Sequence, residues 1–175
     1  MNPRLCCSAL SLASLAFACK AEAPLSPEPR RDVMTASVAA AVEDPFTALI
    51  TVTGVIDPGE SWVSGGGTFH SRGLVLTYDM SGDIEGSGTL TQSVNVNAKG
   101  VGMTAGPFQQ TATWRGIAGT ISGQFAGHVA DGIETSTFVA QGHGDLEGMT
   151  FQFRFSGPVP AGPFAVTGRV ISHGP

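Results

Sequence analysis

The chain predicts an all-β protein, a single eight-stranded antiparallel barrel without disulfides. Three observations carry that expectation. After residue 45 the sequence breaks into short segments of alternating apolar and polar residues, split by Gly, Pro, Asp and Asn. The composition, with 24 glycines and only 13% charged residues, suits a compact β-protein and not a disordered chain. A pentapeptide occurs twice, as Gly82-Asp83-Ile84-Glu85-Gly86 and as Gly144-Asp145-Leu146-Glu147-Gly148. Each copy joins two β-rich segments, and its glycines permit bends that a Cβ would obstruct, so the repeat reads as punctuation between strands.

Residues 1–19 read as an export signal. Arg4 supplies the positive start, and Leu5 to Ala18 is an apolar stretch too short to span a bilayer. It ends in Leu15-Ala16-Phe17-Ala18-Cys19, which resembles the lipobox of bacterial lipoproteins with Cys19 as the lipidated residue. The alternative is ordinary cleavage after Ala16-Phe17-Ala18. The cysteines are Cys6, Cys7 and Cys19, so a processed chain keeps one and forms no internal disulfide. Residues 20–45 read as a flexible tether: Pro24, Pro27 and Pro29 alternate with Ala and charge, and the Ala-rich Val33–Val42 is marginal as a helix before Asp44-Pro45.

Residues 46–175 form the expected barrel domain. Its eight segments are Ala48–Val55, Thr68–Tyr78, Ile84–Val96, Phe108–Arg115, Ile117–Val129, Ile133–His143, Met149–Phe155 and Phe164–Ile171. Turn residues separate them, among them Asp57-Pro58-Gly59, Asn97-Ala98-Lys99-Gly100, Asp131-Gly132 and Gly157-Pro158. Alternation places Phe151, Phe153 and Phe155 inward with Phe125, Trp114, Phe108 and Leu90, while Thr150, Gln152 and Arg154 face out. Eight such strands can close, which removes exposed edges and leaves an interior that is filled or holds one small ligand.

The order of motifs resembles a bacterial family of unknown function related in fold to allene oxide cyclase. The matching stretches are Leu76-Thr77-Tyr78-Asp79-Met80-Ser81-Gly82-Asp83-Ile84-Glu85-Gly86-Ser87-Gly88, Gly119-Thr120-Ile121-Ser122-Gly123-Gln124-Phe125, and Gly142-His143-Gly144-Asp145-Leu146-Glu147-Gly148. They span roughly residues 48–156. The resemblance implies a calycin-like barrel of the kind shared with plant dirigent proteins, which steer coupling or cyclisation of reactive small molecules with little acid–base machinery. The chain departs from that pattern in its lipoprotein-like start and in the added segment Pro158–Pro175.

The remaining motifs narrow the chemistry. A net charge of −5 without a basic run argues against a nucleic-acid partner. His70, His128, His143 and His173 show no metal-ligand spacing, so no metal site and no cofactor is expected. Asp83/Glu85 and Asp145/Glu147 could serve acid–base work or calcium, or be solvated turn residues. No nucleophile elbow or phosphate loop is present. A polar set shares the apolar face: His70, Arg72 and Tyr78 with Leu74 and Leu76, Gln92 after Leu90, Gln110 beside Phe108 and Trp114, and Gln141 after Val139. Apolar walls with a few polar groups describe a small-molecule site. The expected site has Arg72 and Tyr78 at the polar end of a ligand and Trp114, Phe151 and Phe153 along its apolar part. Three functions compete: an exported, lipid-anchored barrel binding a small hydrophobic molecule, a cofactor-free isomerase or cyclase of a hydrophobic substrate, and an interaction module with a filled core.

Overall fold

A computed structural model describes residues 41–160 and 162–172. The expected signal 1–19, residues 20–40 of the expected tether, and His173 lie outside the described residues. Nine strands form one antiparallel sheet among the described residues: β1 Val42–Asp57, β2 Glu60–Val63, β3 Phe69–Gly82, β4 Ile84–Val96, β5 Gly102–Trp114, β6 Ile117–Ala130, β7 Ile133–Gly144, β8 Met149–Pro158 and β9 Phe164–Ser172. Around the sheet the order is β1-β9-β8-β7-β6-β5-β4-β3-β2, and β1 also pairs with β3, so the sheet closes into a ring.

Six of the eight expected segments lie wholly within single strands, and the other two miss by one residue each: Thr68 precedes β3 and Arg115 follows β5. Three boundaries differ more. Residues 42–45, assigned to the tether, open β1 and pair with β9, Pro45 lying opposite Arg169. Pro45 is tolerated because β1 has only β9 beside it there; its ladder to β3 starts at Ala48. β5 begins at Gly102 and not at Phe108, since Gly106-Pro107 interrupts only the ladder to β4 and leaves the ladder to β6 continuous. β2 is an unforeseen four-residue strand, wholly exposed, laid on the start of β3.

The register gives the ring two distinct ends. At one lie the turns Gly82–Ile84, Trp114–Ile117 and Gly144–Met149, with the start of β1 and the end of β9. This end is closed. Ile84 and Leu146, the central aliphatic residues of the two pentapeptides, are both 0% exposed. Leu146 fits against Gly119 and Gly142, where a side chain would collide with it. The acidic residues of the repeat are exposed, and Asp83 is a backbone partner: Thr47 donates to its Oδ2 from N (2.7 Å) and Oγ1 (3.1 Å), and its own N donates to the Thr47 carbonyl. The carboxylate thus satisfies β1 just before its ladder to β3 begins.

Aromatic rings fill the middle of the ring. Phe138 stacks between Phe125 (5.1 Å) and Phe153 (4.7 Å), with Phe108 against its edge at 5.0 Å. Phe46 meets Trp114 and Phe153 edge-on, each at 6.0 Å. The hairpins at the opposite end include Asp131-Gly132, both at positive φ, the two-residue turn that matches strand twist. There Asn97 accepts from the backbone N of Lys99 and Val101 through its side-chain oxygen, closing the β4–β5 turn.

Candidate functional site

The end of the ring opposite the pentapeptides is hollow. A cavity of about 670 Å3 opens there. Its wall is mostly aliphatic, with Val52 and Val55 of β1, Leu74 and Leu76 of β3, Val94 and Val96 of β4, and Val129 of β6. Below it a narrower space of about 50 Å3 reaches Tyr78, Phe125, Phe138 and Phe155, the top of the aromatic core. Val52, Leu76, Gln92, Glu134 and Pro160 line both spaces and form the neck between them. The rim is apolar too: Val55, Ile56, Val63, Phe69, Val101 and Ile133 are exposed.

The expected ligand-binding residues are not gathered at this cavity. Arg72 is exposed on the outer side of the sheet, its guanidinium 5.4 Å from the Trp62 ring, which also stacks on His70 at 5.0 Å. The cause is a β-bulge. Between Ser71 and Leu74, β3 carries one residue more than β4, and Gly73 takes a φ of +72°. Simple alternation therefore fails across Arg72-Gly73: Leu74, Leu76 and Tyr78 face inward, whereas on the near side of the bulge Phe69 lines the cavity and His70 and Arg72 do not.

Tyr78 does face inward, but its hydroxyl is engaged. It donates to Gln110 Oε1 at 2.7 Å, and Gln110 Nε2 lies 3.6 Å from Met80 Sδ. Burial pushes the phenol well above its ordinary pKa. Trp114, Phe151 and Phe153 are buried, and they line neither the cavity nor the narrow space beneath it; they are core of the closed half. The inward facing foreseen for Phe108, Phe125 and Phe155 agrees with their burial, and Leu90 is half-buried against them.

The facing of β7 is the reverse of that expected. Val139 is 48% exposed and Gln141 points out with it, while Glu134, Ser136, Phe138 and Ala140 are buried. This places an acid inside the ring. Glu134 is only 4% exposed. Its Oε1 accepts from Thr104 Oγ1 at 2.6 Å and from Ser136 Oγ at 2.8 Å. Thr104, Gly127 and Ser136 lie side by side across β5, β6 and β7. Gly127 is required between them, since a Cβ there would collide with both hydroxyls. Gln92 stands in the same neck on β4 and has no side-chain hydrogen bond among the described residues.

Sequence reasoning missed Glu134, Ser136 and Thr104. The signal that could have exposed them is Gly127: on the inward face of β6 it interrupts Ile121, Phe125 and Val129, and a strand glycine often marks close approach by a neighbour. Comparison with protein-family models, curated proteins and solved structures finds no match for the chain.

Proposed function

We propose that this protein binds a small hydrophobic molecule in the open end of the ring, which we read as an eight-stranded antiparallel barrel of the allene oxide cyclase-like type with β2 as an added edge strand. The observation that carries the reading is the cavity of about 670 Å3, within the range of small-molecule sites and walled by valine and leucine with few polar groups. A filled interaction module would have had no reason to leave aliphatic side chains around open space at one end while packing rings tightly at the other.

The lipobox-like Cys19 supports an exported protein anchored to a bacterial membrane. β1 starts at the closed end of the ring, opposite the cavity mouth. A second reading rests on Glu134: a carboxyl group in an apolar cavity is a candidate proton acceptor for cofactor-free isomerisation of a hydrophobic substrate. Native mass spectrometry of the purified chain tests the binding reading. A retained adduct of a few hundred daltons, displaced by an apolar fluorophore, is the result it requires; a bare chain that also fails to take up the fluorophore saturably refutes it.

A further inference from the structure

Glu134 lacks a counter-charge. Among the described residues the two ion pairs are Arg115–Asp44 and Arg169–Glu43, and neither involves it. No Lys, Arg or His lines the cavity. Both hydroxyl donors serve Oε1, and Oε2 has no hydrogen-bond partner among the described residues. No buried side-chain oxygen or nitrogen in that part of the chain is without a partner, so Oε2 is open to the space in front of it. A carboxylate in an apolar wall is costly unless a donor or an opposite charge meets it.

Gln92 reaches the same neck from β4 with its amide unused. The two groups thus sit where the wide mouth narrows. Below them there is room for a small group, about 50 Å3, and above them about 670 Å3 of apolar space. The one cation expected to hold a ligand, Arg72, is on the outside against Trp62.

Building on the binding function proposed above, we infer that the ligand is a cationic amphiphile, an amine on an apolar body, that enters head first and places its ammonium group between Glu134 Oε2 and the Gln92 amide. The Thr104 and Ser136 hydroxyls hold the carboxyl group in place by occupying its other oxygen. The apolar body lies along Val52, Leu76, Val94 and Val129. An anionic head would meet Glu134 without any cation to offset it, so fatty acids are disfavoured at this site.

Isothermal titration of the full chain with decylamine, decanol and decanoate, each as a monomer in solution, tests this. Decylamine should bind at least about ten-fold more tightly than decanoate, the scale of one charge-assisted hydrogen bond. Glu134→Gln should lower decylamine affinity by about ten-fold or more and leave decanol within about three-fold, since only the charged contact is lost. Arg72→Ala should change none of the three. Thermal shift of the unmutated protein gives a check independent of any variant: decylamine should raise Tm more than decanoate does. Equal or tighter binding of decanoate, or an unchanged decylamine affinity in a folded Glu134→Gln protein, overturns the assignment. Decanol binding without preference for the amine sinks only the role of Glu134. If none of the three binds, the ligand-binding function falls with it.

Discussion

Leu146 offers the sharpest test of how the repeated pentapeptide works. Its side chain is 0% exposed at the closed end, pressed on Gly119 and Gly142. Leu146→Ala removes three buried carbons, worth about 2.4 kcal/mol at roughly 0.8 kcal/mol each. The glycines beneath cannot extend side chains into the gap, so a cavity penalty adds to this and the total should reach about 3–4 kcal/mol. Asp145 in the same turn is exposed and has no side-chain bond among the described residues, so Asp145→Ala should cost under about 0.5 kcal/mol. Urea unfolding followed by far-UV circular dichroism measures both, with equal m-values as the check on two-state behaviour. In heat the Leu146→Ala midpoint should drop by roughly 10–15 °C. A loss below about 1 kcal/mol for Leu146→Ala, or an Asp145→Ala loss that equals it, would refute the view that the aliphatic residue closes this end.

Leu76→Trp puts a large ring in the neck; a native circular dichroism spectrum with apolar-probe affinity reduced at least about ten-fold is expected, and unchanged affinity would place the ligand elsewhere. Tyr78 is the only tyrosine in the chain, and burial raises its pKa. The unfolded phenol therefore loses its proton first, so stability is unaffected below about pH 10 and falls above it by up to about 1.4 kcal/mol per pH unit. Urea midpoints should accordingly drop more between about pH 9 and pH 11 in the natural protein than in Tyr78→Phe. Cys19→Ala should shift the protein from the membrane to the soluble fraction, and mass spectrometry of an unlipidated natural chain starting at Cys19 would end the anchor proposal.

Where strands are regular, the sequence announced them. Phe151, Phe153 and Phe155 alternate with Thr150, Gln152 and Arg154, and that period survives in β8 because no bulge interrupts its ladders. Arg72 failed for a local reason. One extra residue at Arg72-Gly73 breaks the facing of β3, and a bulge leaves no mark in an alternation pattern beyond a glycine that could equally be a turn. β7 failed for a different one. In Thr135-Ser136-Thr137-Phe138-Val139-Ala140-Gln141 either parity gives an apolar face, and an acid at Glu134 weighs toward placing that face outward. The structure resolves the ambiguity through Phe138, which stacks between Phe125 and Phe153.

That choice of face has a consequence for the cavity. Once Phe138 is committed to the core, Ser136 and Glu134 must follow it inward, one step and two steps toward the open end. The ring accommodates them by omission: Gly127 vacates the position beside Ser136, and Thr104 supplies a hydroxyl from the strand beyond. An apolar residue at position 134 would have spared the chain this arrangement and deepened a purely greasy pocket. The acid keeps one oxygen on the two hydroxyls and turns the other to the cavity. On the binding function proposed above, a ligand group at that oxygen would complete what the fold leaves open and put the discrimination between ligands at the neck instead of the rim.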